Sequence, residues 1–230
     1  MIPKVIHYCW FGRNPLPESA IKCINSWKKF FPDYEIKEWN EDNFDVNIIP
    51  YTKEAYEAKK YAFVSDYARF WILYHHGGLY FDTDVEVIRS MDDIIALGPF
   101  MGVEVEAVVN PGLGLGTPPG LGLYEKMLER FQNLDFYMED GSIQTYTMIP
   151  IISELLREGG LLAKDEVQCV EGVWIYPSDY FNPLDAATGK LKLTPNTRSI
   201  HWYTASWLPA QPIWQKKLKQ WVRRCISYLK

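Results

Sequence analysis

No run of 18 apolar residues occurs in this 230-residue chain, so the sequence offers no membrane-spanning segment. The opening MIPKVIHYCWFGRNP lacks the charged start, long apolar stretch and small-residue cleavage site of a signal peptide. Cysteine is scarce: four residues, at 9, 23, 169 and 225, with no CxxC pair and no zinc spacing. A reduced, cytoplasmic protein is therefore expected. Positive charge is also short. The 24 Lys and Arg face 29 Asp and Glu, a net −5, so the basic footprint of a nucleic-acid binder is missing and no nucleic-acid partner is expected. There is no Walker-type GxxxxGK and no GxSxG. The glycines at 112, 114 and 116 are hemmed by prolines at 111, 118 and 119, which denies them the strand–GxGxxG–helix setting of a dinucleotide fingerprint.

What is present is an ordinary folded composition, 47% apolar and 23% charged, with an unusual 15% of aromatics that includes nine Trp. Such rings suit stacking on sugars or bases and equally suit filling a core. Lys4 to Phe11 is a β-rich apolar run. Leu16 to Phe31 has helical spacing at Ile21, Ile24, Trp27 and Phe31, stopped by Pro32. Tyr34 to Trp39 alternates apolar and charged residues, as a half-buried strand does. Strand–helix–strand in that order opens an α/β sheet with crossover helices.

Helices are predicted over Tyr51 to Lys60 and Tyr61 to His76, the latter ended by Gly77-Gly78. A short strand, Leu79 to Phe81, leads into Asp82-Thr83-Asp84. Val85 to Ile88 and Phe100 to Val109 read as extended, and Asn110 to Gly122 as a loop or turn cluster. Further helices are expected at Leu123 to Gln132 and Thr145 to Glu158. A hairpin is expected over Val167 to Tyr176, a last strand over Ser199 to Tyr203, and a basic aromatic helix over 212–230. No repeat or linker interrupts the chain, so a single domain over residues 1–230 is expected.

Ligands of open α/β sheets bind beyond the carboxyl ends of strands, where Asp82 and Asp84 fall. Two carboxylates after a strand suit a hard cation, which takes one or two of them together with substrate phosphates. Asp66 and Arg69 share one face of the preceding helix, and charges on an otherwise apolar helix call for a partner or a ligand. His7 on its apolar strand reads more readily as a satisfied core histidine than as a catalytic one. His75 and His76 point about 100° apart on a helix, which argues against joint metal ligation. Asn110 either contacts a substrate or opens the Pro-Gly turn. Glu104 and Glu106 follow a strand and could offer a carboxylate, though glutamate on a strand edge is ordinary surface.

SDYAR (65–69) followed by GGLYFDTD (77–84) resembles the DXD-motif sugar transferase family, which includes yeast-type initiating mannosyltransferases and bacterial capsular polysaccharide glycosyltransferases. A more distant likeness is to the clostridial glucosylating toxin catalytic domain. IPKVIHYCWFG resembles the family's first strand, PSDYFNP its late P-x-x-x-F-x-P, and HWYTASW its terminal H-x-x-x-x-S-W. The resemblance implies the A-type glycosyltransferase fold: an α/β, single Rossmann-like domain with a mixed central sheet and a C-terminal helix. It also implies Mn²⁺ or Mg²⁺ and a UDP- or GDP-hexose donor. The acceptor would be a saccharide or lipid-linked oligosaccharide, used with retention in surface polysaccharide synthesis in a bacterium.

Carried over by residue, the resemblance puts Asp66, Arg69 and Asp84 in catalysis. It puts His7, Trp10, Tyr80, Asp82, Ser206 and Trp207 against the donor, and Asp82, Asp84 and His201 at the metal. Where the family has a T-G-P element, this chain has Thr147-Met148-Ile149-Pro150, which leaves the acceptor side open.

Two other classes compete with this one. A nucleotidyltransferase needs a Gly-rich basic phosphate loop near the N-terminus, and IHYCWFGRNP is not one. A non-catalytic glycan-binding protein would use the aromatics for sugars and DTD as a structural metal site. Residues 211–230 hold six of the 24 basic side chains and no acidic one, beside an apolar stripe of Trp214, Leu218, Trp221, Cys225 and Leu229. That pattern fits either packing on the body or peripheral contact with the inner face of a cell membrane.

Overall fold

The computed structural model describes residues 1–144 and 148–204. Strand β1 (Val5–Cys9) alternates as a strand buried on both faces must. Ile6 and Tyr8 enter the core beneath helix α1 (Glu18–Phe30), and Cys9 enters the opposite core beneath helix α3 (Tyr61–His76). Its neighbours β2 (Glu35–Trp39) and β3 (Gly78–Tyr80) are both parallel to it, with Ile6 opposite Ile36 and Leu79. Parallel neighbours need crossovers. Helix α1 provides the first; α2 (Pro50–Glu57) and α3 provide the second.

Helix α1 buries Ala20, Cys23, Ile24 and Trp27, while Ile21, expected on the apolar stripe, is 46% exposed. Helix α3 is apolar on most of its surface and sinks Val64, Tyr67, Ala68, Phe70, Ile72 and Leu73.

Beyond β3 the sheet becomes mixed. Its order is β2-β1-β3-β7-β5-β9-β8, with β7 (Leu115–Thr117) antiparallel to both β3 and β5 (Phe100–Val105). Strand β9 (Val173–Tyr176) runs parallel to β5, β8 (Gln168–Val170) closes the edge antiparallel to it, and β6 (Val108–Val109) forms a hairpin with β5. A separate two-stranded ribbon pairs β4 (Val85–Val87) with β10 (Ser199–His201). Helices α4 (Asp92–Leu97) and α7 (Ser178–Phe181) lie among these strands in sequence, and α5 (Gly122–Gln132) and α6 (Met148–Glu158) cover the α3 face.

Strand β7 corrects the expectation of a pure loop over Asn110 to Gly122. The segment supplies a central strand because Gly116 lies flat against the Phe100 ring, where a Cβ would collide. Glycine here makes room for a neighbour and does not break the strand. Helix α4 was not foreseen; its six residues are too few to show a period.

Candidate active site

The parallel strands β1 and β3 end side by side, and the segment leaving β3 carries Asp82 and Asp84. Behind them lies Arg69, only 3% exposed. Its Nε donates to the Ser65 carbonyl at 3.1 Å, one terminal nitrogen to Asp82 Oδ2 at 3.3 Å, and the other to Asp66 Oδ1 at 3.0 Å. The guanidinium also sits 4.9 Å from the centre of the Tyr80 ring. Burial alone would weaken its charge; Asp82, Tyr80 and Asp66 outweigh that and hold it protonated. Burial pushes the Asp66 carboxyl up to about 6, against the pull of Arg69. Asp66 and Arg69 therefore form no solvated ion pair: they make a buried ionic cluster at a strand end, a setting in which perturbed groups mark functional sites.

Asp84 is held from the other side. Its Oδ1 accepts from His201 Nε2 at 3.0 Å, and its Oδ2 accepts from the Thr204 backbone N–H at 2.9 Å and from Thr204 Oγ1 at 3.2 Å. Against the cost of burial, His201 and Thr204 keep Asp84 below the usual carboxylate range, and Asp84 keeps His201 above its own. The pair is an ion pair, with His201 Nδ1 buried and unpartnered.

Several expected positions turn out differently. His7 is not brought to this cluster. It is buried at mid-strand, accepting from Trp39 Nε1 on Nδ1 at 3.0 Å and facing the Gly77 carbonyl with Nε2 at 2.9 Å. Trp39 cannot accept, so the proton of His7 is on Nε2 and the ring is neutral. Burial, countered in part by the bond to Gly77, takes its pKa down to about 4. His7 thus belongs to the core, as its apolar strand suggested. Tyr80, expected against the donor, is 1% exposed and works from behind, its hydroxyl donating to Asp82 Oδ1 at 3.0 Å. His201, expected as a metal ligand, spends Nε2 on Asp84.

Trp10 follows β1 directly and stays partly exposed, its indole N–H donating to the Asn14 carbonyl at 2.7 Å and its ring packed against the core beneath α1. Ser206, Trp207 and the helix expected over 212–230 lie outside the described residues.

Reading the sequence also missed groups that the fold gathers here. Glu104, at the end of β5, accepts from Asn110 Nδ2 at 2.9 Å and from the Tyr203 hydroxyl at 3.0 Å, and Asn182 joins the same network. Asn110 is buried and opens the turn at Pro111–Leu113, the second of the two readings of its sequence. Nothing in local sequence marks Asn182 or Tyr203. Their signal is spatial.

A divalent cation fits this chemistry in one form. Among the described residues no group of three or more His, Cys, Asp and Glu is arranged to hold a metal ion unaided. Asp82, with 29% of its side chain exposed, and the more enclosed Asp84 provide hard carboxylate oxygens that would hold Mg²⁺ or Mn²⁺ together with the phosphates of a ligand.

Residues 17–101 match the family model described as glycosyltransferase sugar-binding region containing DXD motif. Over 98 residues the chain is 33% identical to inositol phosphoceramide mannosyltransferase 3 of Schizosaccharomyces pombe, covering 41% of this chain and 27% of that protein. Over 106 residues it is 34% identical to an uncharacterised glycosyltransferase of Acanthamoeba polyphaga mimivirus, covering 44% of this chain and 42% of that one. The chain thus spans well under half the length of these curated relatives. Among solved structures, the PaToxG glycosyltransferase aligns with a TM-score of 0.53 at 18% identity, over 68% of this chain and 69% of that chain. The fold is that of the A-type glycosyltransferases, and residues 17–101, which match the DXD-containing sugar-binding region, include the D-x-D sequence Asp82-Thr83-Asp84.

Proposed function

We propose that this protein transfers a hexose from a nucleotide-diphosphate sugar, a UDP- or GDP-hexose, to a saccharide or lipid-linked oligosaccharide, with retention and with Mn²⁺ or Mg²⁺. The observation that carries the proposal is the buried, protonated Arg69 set between Asp66 and Asp82 at the end of a parallel strand. Arg69 supplies positive charge where a diphosphate leaving group gathers negative charge, and does so in an enclosed site where charge acts most strongly. Asp66, which meets Arg69 through Oδ1, would accept from a sugar hydroxyl through its second oxygen. Trp10, at the neighbouring strand end, offers a ring face to the base. Asp82 and Asp84 would hold the cation, which when bound neutralises the diphosphate.

The cluster offers no carboxylate free of hydrogen-bond partners to act as a nucleophile. The proposed course therefore has the acceptor hydroxyl entering on the leaving-group face and passing its proton to the departing phosphate oxygen. The ceramide in the name of the fission-yeast relative supports a lipid-linked acceptor, met peripherally at a membrane surface, where the basic segment 212–230 would supply attraction to anionic headgroups. Surface polysaccharide synthesis remains the proposed setting. Among the described residues no helix is long and apolar enough to cross a membrane. A glycan-binding protein with a structural calcium site fits less well, since such a site takes roughly six to eight oxygens and among the described residues no third acidic side chain joins Asp82 and Asp84 in a metal-holding group.

The test is a thermal-shift series with UDP, GDP and their hexoses, with and without Mn²⁺, followed by the release of nucleoside diphosphate from whichever donor binds. A binder of the folded state raises the melting temperature with its concentration. The expected result is a cation-dependent shift for one base and slow donor hydrolysis, both lost in Asp84→Asn. Full activity of that variant without added metal, or no shift with any donor, overturns the proposal.

A further inference from the structure

We propose that Glu104 is a positioning residue that sets both arms of the Asp82-Thr83-Asp84 turn from a single carboxylate; what the turn binds rests on the function proposed above. Glu104 is the penultimate residue of β5, two strands away from β3 in the sheet, and reaches the turn in two directions.

The first arm runs through Asn110. Glu104 Oε2 accepts from Asn110 Nδ2 at 2.9 Å, and Asn110 Oδ1 accepts from the Gly112 N–H at 2.8 Å. The second bond fixes which way the amide faces, since its oxygen is taken and only its nitrogen is left for Glu104. Gly112 in turn lies so close to Asp82 Oδ2 that a Cβ there would strike it. The position of the 110–112 turn thus limits where Asp82 can stand.

The second arm runs through Tyr203. Glu104 Oε1 accepts from the Tyr203 hydroxyl at 3.0 Å, and Asn182 Oδ1 faces the same hydroxyl at 2.9 Å. Tyr203 has φ +49°, in the left-handed region that a bulky side chain seldom enters. Such a conformation persists when surrounding contacts over-determine it. Here those contacts are the two hydroxyl partners and the ring against His201, with centroids 4.1 Å apart. The backbone, so turned, presents the Thr204 N–H and Oγ1 to Asp84 Oδ2.

Asn110 cannot turn over, because its oxygen is held by Gly112, so the group facing its NH₂ must accept. The Tyr203 hydroxyl has one proton and two neighbours, Glu104 Oε1 and Asn182 Oδ1, so it can donate to Asn182 and accept from residue 104. A glutamine with its oxygen toward Asn110 and its NH₂ toward Tyr203 would therefore keep both arms, and an alanine would keep neither.

The experiment uses the full chain with Glu104→Gln, Glu104→Ala and Tyr203→Phe. It reads amide hydrogen exchange at Thr204, affinity for UDP and GDP with Mn²⁺, and donor hydrolysis. Glu104→Ala and Tyr203→Phe are expected to speed Thr204 exchange by about tenfold or more, the scale of one lost hydrogen bond, while amides of α3 keep their protection. In both, turnover is expected to fall by about 10- to 100-fold with nucleoside diphosphate affinity within about threefold, because a misplaced turn harms the transition state more than the ground state. Glu104→Gln, which can keep both contacts, should stay close to wild type in exchange and turnover. Wild-type Thr204 exchange in Tyr203→Phe, or a Glu104→Gln variant as impaired as Glu104→Ala, overturns the proposal. Should Glu104→Ala fail to fold, Tyr203→Phe, which loses one hydroxyl, still decides. A wild-type chain that binds no nucleoside diphosphate sinks the proposed function, and Thr204 exchange judges Glu104 all the same.

Discussion

Two regions of the sheet bury polar groups in opposite ways. At mid-strand, His7 sits between an indole N–H and a backbone carbonyl, 2% exposed and neutral. At the strand ends, His201 is almost as buried, at 8%, yet faces Asp84 and is held charged, beside Arg69 with its own two carboxylates. Burial alone therefore says little about function. What separates the regions is the partner: neutral groups complete the His7 network and close it, whereas the strand-end charges keep spare lone pairs at the surface. Closed networks rigidify a core. Open charged ones await a ligand.

The comparison is broken most severely by Arg69→Ala. Removing one partner of a buried ionic cluster leaves Asp66 and Asp82 uncompensated, at a cost of about 3–5 kcal/mol. Urea denaturation should show that loss, and donor hydrolysis should vanish with it. A loss below about 1 kcal/mol would show the cluster to be solvated, as exposed pairs are.

The two histidines should give opposite pH slopes. His7 has a folded pKa of about 4 against 6.5 unfolded, so its contribution is complete above pH 6.5 and is lost as pH falls from 6.5 to about 4. That loss amounts to about 3 kcal/mol. His201 is raised above 6.5, so its contribution is complete below pH 6.5 and is lost as pH rises through its folded value. Unfolding free energies measured from pH 4 to 9 should flatten on the acid side in His7→Gln and on the alkaline side in His201→Gln. Unchanged slopes in both would mean that neither charge state is as described.

Tyr80→Phe should have the smallest effect. It removes one donor to Asp82 while keeping the ring beneath Arg69, so about 1 kcal/mol of stability goes and hydrolysis falls only a few-fold. A drop as large as that of Arg69→Ala would place the hydroxyl at the substrate.

The site was partly legible in advance because some of it is local. Asp66 and Arg69 share a helix face by their spacing of three, and Asp82 and Asp84 follow a strand whose apolar run is plain. The strand-end placement of acids and the buried charge on α3 needed only periodicity. Asn182, Tyr203 and the role of Glu104 were invisible, since residues 78 and 99 positions apart along the chain carry no mutual pattern.

The sequence by itself determined the opening β-α-β order, the apolar helix α3, the DXD turn after β3 and the likeness to sugar transferases, because each is written in short-range spacing or residue type. The tertiary structure alone decided that a Gly-Pro-rich stretch becomes the central strand β7, since Gly116 has to meet the Phe100 ring. It alone decided that His7 is neutral while His201 is charged. Both are histidines on strands in the sequence. Their charge depends on which group lies across the sheet, Trp39 in one case and Asp84 in the other, and only the folded chain brings those partners within 3.0 Å.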